Sequence, residues 1–233
     1  YREYLSTRTP LTIEPVFVPA KFMYVNAEIN VVYDPNLTNE TGASIRQKVI
    51  DRIIDYSNTN LNDFNITLRQ SNLSAFVDDT DVSILGTDIV AKPVIQYVPV
   101  INAIANPSFS FGSQLVKPYP LDESTGLFGY TSCLTSTTFT LDETLVRLVD
   151  DGRGEIVAIT VATGNPSIFK RKVGSINYET GKVVLSNFSV EDYFGNAIQF
   201  TVNTVSKDIK SPKDRILLLR REDLSITVNP NTV

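Results

Sequence analysis

A chain of 233 residues with 42% hydrophobic and 20% charged side chains has the make-up of a folded protein, about one and a half times a ~150-residue domain, so two domains are expected. A net charge of -5 argues against a phosphate-binding surface, and no apolar run reaches the roughly 18 residues that cross a bilayer, so neither nucleic acid nor membrane is an expected partner. The chain has no His, which removes the commonest metal ligand and neutral-pH base, and the single Cys133 leaves no internal disulfide.

The chain opens at Tyr1 with no initiator Met and no signal-peptide pattern, which predicts a piece of a longer protein. Residues 1–14 read as a lead-in segment, and the prolines of Glu14-Pro15-Val16-Phe17-Val18-Pro19 impose an extended backbone on the stretch that contains them. Val25, Ala27, Ile29, Val31 and Tyr33 then alternate with Asn26, Glu28 and Asn30, the period of a half-buried strand. Asp34-Pro35-Asn36 turns the chain. From Ala43 the period changes, because Ile45, Val49 and Ile53, with Ile50 and Ile54 beside them, share one helical face opposite Arg46, Gln47, Asp51, Arg52 and Asp55. The polar run Ser57-Asn58-Thr59-Asn60 is expected to end this helix.

A second helix is predicted over 70–77, stopped by Asp78-Asp79-Thr80-Asp81, and a strand over 82–100. Pro93 and Pro99 cannot donate ladder hydrogen bonds, so that strand is expected at a sheet edge or bent. Residues 106–140 shift toward Ser, Thr, Gly, Pro and Tyr, which places a domain boundary after residue 105. Beyond it the reading is β throughout: one hairpin across Asp150-Asp151-Gly152-Arg153-Gly154, a second across Glu179-Thr180-Gly181, then strands at Ile198–Val202, Ile216–Leu219 and Leu224–Val228. The predicted class is α+β: a small α/β domain with an amphipathic helix on a sheet over 15–105, followed by a mainly antiparallel, sandwich-like β domain over 106–233.

Chemistry finds little support. Asp150 with Asp151, or Asp78, Asp79 and Asp81, offers the carboxylate pair that glycoside hydrolysis needs. Tight turns select those same residues for their backbone hydrogen bonds. Asp79, Asp81 and Ser83 are spaced like the start of a calcium loop, but Ile84 stands where that loop requires Gly. Five Asn-x-Ser/Thr sequons, at Asn36, Asn39, Asn65, Asn72 and Asn187, fit chance in so Asn-rich a chain. Gly152 and Gly154 lie in a hairpin rather than before a helix, so no dinucleotide loop is present. No catalytic residue, metal site or cofactor is predicted.

One surface stands out. Lys207, Lys210, Lys213, Arg215, Arg220 and Arg221 face only Asp208 and Asp214, a basic stretch on an acidic chain that suits docking to an acidic partner or a symmetry mate. A solvated loop followed by a charge-protected edge strand accounts for it equally well. Ile216-Leu217-Leu218-Leu219 is apolar on both strand faces and belongs either in the middle of a sheet or under another subunit.

The segment order Phe17-Val18-Pro19 to Tyr33-Asp34-Pro35, the 45–54 helix, and Ser71-Asn72-Leu73 leading to Asp81-Val82 resembles the C-terminal half of baseplate J-like proteins of contractile phage tails. Val149-Asp150-Asp151-Gly152-Arg153-Gly154 and the stretch from Val173 to Val183 look like the inner-ring wedge subunits of T-even phage baseplates. Ile209 and Ile216-Leu217-Leu218 fit their closing segment. The resemblance runs from about Pro15 onward and implies a C-terminal fragment of a structural, non-enzymatic subunit. It further implies assembly in the host cytoplasm, residence in the virion tail baseplate, pairing with a second copy, and contacts with other wedge proteins that build the inner ring. The different reading is a carbohydrate- or receptor-binding β-domain of a tail protein, with Tyr119, Tyr130, Tyr178 or Tyr193 as sugar-stacking platforms.

Overall fold

The computed structural model describes residues 20–122, 127, 130–161 and 166–231. The lead-in expected at 1–14 and the extended stretch 14–19 lie outside them. The first described strand, β1 (Lys21–Tyr33), shows the predicted alternation: Met23, Val25, Ala27, Ile29, Val31 and Tyr33 are buried. Helix α1 (Gly42–Asn60) begins where the Thr41 hydroxyl accepts the Ser44 amide at 3.2 Å, a side-chain cap typically worth ~1 kcal/mol. Its buried face is Ile45, Val49, Ile53 and Tyr56; each fully buried aliphatic side chain contributes roughly 1.5–3 kcal/mol.

The helix ends within the expected polar run, at Asn60. Its polar end bonds back to its own carbonyls, Thr59 Oγ1 to Asp55 O at 2.8 Å and Asn60 Nδ2 to Tyr56 O at 3.3 Å. Ser57 itself is buried and its hydroxyl accepts the Leu219 amide at 3.1 Å. The run that closes the helix is thus also spent on helix and tertiary hydrogen bonds.

A short strand β2 (Thr67–Leu68) leads to helix α2 (Gln70–Asp78), which buries Leu73 and Val77. The helices meet where Tyr56 and Phe76 pack edge to face, ring centroids 5.1 Å apart, with the Arg52 guanidinium 3.8 Å above the Phe76 ring. Strand β3 (Ile84–Tyr97) runs antiparallel to β1 from Ile84 opposite Tyr33 to Val94 opposite Tyr24. Its other edge gains a partner only from Val94 onward, so Pro93 sits at the point where β3 changes from edge strand to central strand. That placement combines the edge position and the missing donor expected of the proline.

The remaining strands are β4 (Ser108–Ser110), β5 (Leu134–Ser136), β6 (Phe139–Leu141), β7 (Thr144–Asp150), β8 (Glu155–Thr160), β9 (Ile168–Asn177), β10 (Lys182–Leu185), β11 (Asp192–Tyr193), β12 (Ile198–Val202), β13 (Ile209–Lys210), β14 (Arg215–Leu218) and β15 (Leu224–Pro230). Both expected hairpins form, β7 with β8 and β9 with β10. Gly152, at φ 76°, makes the first turn possible: a Cβ there would meet the Tyr119 carbonyl oxygen at 2.6 Å. The described architecture is α+β and dominated by strands.

Among the described residues, one hydrogen-bonded path runs β14-β1-β3-β12-β5-β7-β8-β9-β10-β4, while β13 pairs with β2 apart from it. The ladders are antiparallel except at β1, whose outer edge carries β14 and then β15, both parallel to it. The chain thus returns after residue 210 to the sheet it opened at residue 21. Leu217 and Leu219 are buried on that return, while Ile216, bridged by Phe64, and Leu218 are half-buried. A continuous buried cluster extends from Met23 on β1 to Ile226 on β15 and takes in Phe109, Phe111, Phe139, Phe188 and Phe200.

Candidate functional site

The basic stretch divides into two parts with different surroundings. Arg220 lies over the Tyr24 ring at 4.0 Å and grips the Asp223 carboxylate with two hydrogen bonds, Nε to Oδ2 at 2.7 Å and Nη2 to Oδ1 at 2.9 Å. Glu222 lies 2.7 Å from its Nη1. This two-pronged pairing raises the guanidinium pKa and fixes the 3₁₀ turn Arg221–Asp223 between β14 and β15. Arg221 reaches α1 and bonds Asp51 at 2.5 Å, and Arg215 donates from Nη1 to the Phe22 carbonyl at 3.0 Å. These three arginines tie the returning strands to β1 and α1.

Lys207, Lys210 and Lys213 differ. All three are exposed, and among the described residues none forms an ion pair. Asp208, which accompanies them, accepts the Gln70 amide at 3.3 Å at the start of α2, whose own leading residue Arg69 gives no side-chain cap. Asp214 lies 3.8 Å from Lys21, with both side chains mostly in water, a contact worth little. The basic character that remains open to a partner is concentrated at 207–213.

The carboxylates weighed for catalysis serve the fold. Asp151 Oδ1 accepts the amides of Arg153 at 2.8 Å and Glu155 at 2.9 Å, the side-chain closure that Asp brings to a tight turn. Asp150 is fully buried; its Oδ1 accepts the Leu134 amide and its Oδ2 the Tyr178 hydroxyl, both at 2.7 Å. Burial pushes its carboxyl above the usual range, and the two hydrogen bonds only partly offset that. The two acids thus face different surroundings and converge on no common open space, which a hydrolytic pair requires.

Asp81 accepts both the amide and hydroxyl of Ser83, at 3.1 and 2.8 Å, and Lys48 at 3.0 Å. Those bonds, Ser83's foremost, hold its carboxyl below the ordinary range. Lys48 also contacts Glu40, closing a small ion network over the start of α1. Among the described residues no cluster of His, Cys, Asp and Glu is arranged to hold a metal ion. Cys133 is buried and its sulfur meets the Asn203 carbonyl at 3.3 Å; burial pushes the thiol up to about 12, which makes it a poor nucleophile.

The tyrosines considered as sugar platforms are mostly engaged. The Tyr130 hydroxyl donates to the Asp150 carbonyl at 2.9 Å, Tyr178 is bound to the Asp150 carboxylate, and Tyr193 packs against the core. Tyr119 is 93% exposed. An open cleft at the junction of β1, β12 and the 3₁₀ turn is lined by amides and charges, Asn26, Gln96, Gln199, Glu28, Arg220 and Glu222, and has no aromatic wall. The role of Asp150 as a buried acceptor escaped sequence reasoning, since Asp-Asp-Gly signals a turn whichever way the first side chain points.

Two similarities to known proteins bear on the first part of the chain. Residues 21–92, which hold β1, both helices and most of β3, match the family described as baseplate structural protein gp6, C-terminal domain III. The baseplate wedge protein gp6 of Enterobacteria phage T4 is 24% identical over 93 residues, 40% of this chain and 14% of that protein's length. The matched segment therefore spans a small part of that relative.

Proposed function

From a chain that is gp6-like across residues 21–92, we propose a structural piece of a contractile-tail baseplate wedge that acts through its surfaces and performs no catalytic turnover. The observation that carries this is the family match over residues 21–92, which hold β1, both helices and most of β3. The engagement of Asp150, Asp151 and Asp81 in the fold supports it from the chemical side. In this reading the protein resides in the virion tail baseplate and is made and assembled in the host cytoplasm. It pairs with a second copy of itself and with other wedge proteins, and these contacts join wedges into the inner ring, where closed symmetry takes the place of chemistry. In this reading the chain divides into an α+β part, 15–105, and a mainly β, sandwich-like part, 106–233, whose last strands β14 and β15 return to the sheet of the first.

The six basic residues serve as part of the partner surface. Lys207, Lys210 and Lys213 orient an acidic face of a neighbour, while Arg215, Arg220 and Arg221 hold the return strands that present it. Mixing the chain with other wedge proteins of the same tail and scoring co-sedimentation tests the reading. Stoichiometric co-sedimentation, weakened by Lys→Glu changes at 207, 210 and 213, is the expected result. Absence of association with any wedge component, together with glycan binding, would replace it with the receptor-binding alternative.

A further inference from the structure

Two charged surfaces at opposite ends of β12 complement one another. At one end lies a basic patch, where Lys207, Lys210 and Lys213 are joined by Lys21 and by Arg215, against Asp208 and Asp214. Cations exceed acids there by three. The charges around it come in offsetting pairs: Asp88 with Lys92 along the cleft that Lys207 borders, and Glu179 with Lys182 at the β9–β10 turn beside Ser113, whose hydroxyl accepts the Lys210 amide at 3.4 Å. At the other end lies an acidic patch. Asp142 and Glu143 form the β6–β7 turn, the Glu143 amide donates to Glu191 Oε2 at 2.9 Å, and Asp192 stands opposite Thr140 in the β11–β6 ladder. Lys170 pairs with Asp142 at 3.0 Å, so acids exceed cations by the same three. Arg147 is four residues farther along β7 than Glu143, and Arg171 and Lys172 line a separate cleft with Arg153.

Each patch also rims exposed apolar side chains. Phe22, 36% exposed, follows Lys21, and Phe64, 46% exposed, bridges Ile216 beside Arg215. Phe194, 67% exposed, follows Asp192 by two positions, and Leu145, 39% exposed, faces the same Thr140 that pairs with Asp192. An apolar centre within a charged rim is the anatomy of a contact between proteins. The registers keep the patches apart. β5 runs antiparallel to β12 and leads past its Ile198 end into β6, whereas beyond Val202 the chain continues along Leu115 toward Ser113 and Lys210. β12 alone spans about 17 Å.

We propose that the 207–215 patch of one copy docks on the patch around Glu143 and Asp192 of the next, head to tail. The proposal rests on the structural role proposed for the chain and names its acidic neighbour as a second copy. Charge complementarity selects that occupant. A single chain cannot bring its own two ends together, so each patch keeps its surplus charge until another copy supplies the opposite one. Copies with a net charge of -5 repel in most orientations, and this orientation places attraction at the contact. Because the two surfaces differ, the contact repeats from copy to copy and closes into a ring where the rotation between copies allows it.

The test is sedimentation equilibrium of the full 233-residue chain and two charge-reversed versions of it, Lys207→Glu with Lys210→Glu and Lys213→Glu, and Glu143→Lys with Asp192→Lys. Wild type is expected to self-associate with a Kd on the order of 10 µM, and each reversed chain to bind itself at least about tenfold more weakly. An equimolar mixture of the two is expected to recover association to within about threefold of wild type, because each supplies the sign that the other has lost. All the altered side chains are exposed, so an unchanged urea midpoint verifies the fold. Lys207→Glu with Lys213→Glu, both outside the strands, replaces the triple change should it fail that check. A wild-type chain that is monomeric throughout, or a mixture that associates no better than its components, overturns the proposal. Co-sedimentation with wedge proteins decides the structural reading separately, because a monomer that still joins them keeps that reading and loses this contact.

Discussion

Replacing Asp150 by Ala removes the acceptor for two buried donors at once, the Leu134 amide and the Tyr178 hydroxyl, each now 2.7 Å from a carboxylate oxygen. An orphaned buried donor costs about 1–3 kcal/mol, and the relief from no longer burying a charge returns part of that. The expected net loss is about 2–4 kcal/mol. Asp150→Asn keeps the shape and the oxygen that faces Leu134, while its amide meets a Tyr178 hydroxyl able to turn and accept, so its cost at pH 7 is expected below about 1 kcal/mol. The pH dependence separates the two explanations. Burial raises the folded carboxyl above its ordinary value, so this group's favourable contribution is fully present below the unfolded pKa of ~3.9 and is lost as pH rises through the folded pKa. Wild type should therefore be most stable relative to Asp150→Asn near the low end of that window and lose ground as pH rises. Urea unfolding of the three proteins across the acid-to-neutral range measures this. A wild-type advantage over Asp150→Asn that grows with pH, or an Ala variant within ~1 kcal/mol of wild type, refutes the account.

Gly152→Ala is expected to destabilise by more than about 2 kcal/mol, since it combines a left-handed backbone with a Cβ 2.6 Å from the Tyr119 carbonyl; a thermal melt indistinguishable from wild type would contradict this. Asp81 behaves oppositely to Asp150. Its hydrogen bonds to Ser83 and then Lys48 hold its carboxyl low, so its contribution is present above the unfolded pKa and is lost as pH falls through the folded one. Asp81→Asn should thus cost most at neutral pH and least in acid, read from paired urea titrations.

The periodic elements were readable from the sequence because each is decided locally. The β1 alternation, the α1 face of Ile45, Val49 and Ile53, and the two Gly-turn hairpins all appear where residue spacing places them. What escaped depends on distant partners. Ser57 looks like one more polar residue of a helix end until Leu219 is brought beside it, and Asp150 looks like a turn residue until Tyr178 arrives from the neighbouring hairpin. Likewise the six basic residues were visible as a cluster, whereas the split between strand-fixing arginines and open lysines is set by Tyr24, Asp223 and Asp51, which engage Arg220 and Arg221 and none of the three lysines.

The parallel return of β14 and β15 onto β1 sets the order in which this molecule matures. Ala27 faces Leu224, a separation of 197 positions (224 − 27), so the outer rim of the opening strand waits until the chain has grown by that many residues. Helices α1 and α2 lie close in sequence to β1 and β3 and can settle on them early, whereas the rim is sealed only by one very long loop closure. Until then the nascent protein shows its neighbours a bare row of amides and carbonyls, the kind of edge on which strands from other chains add.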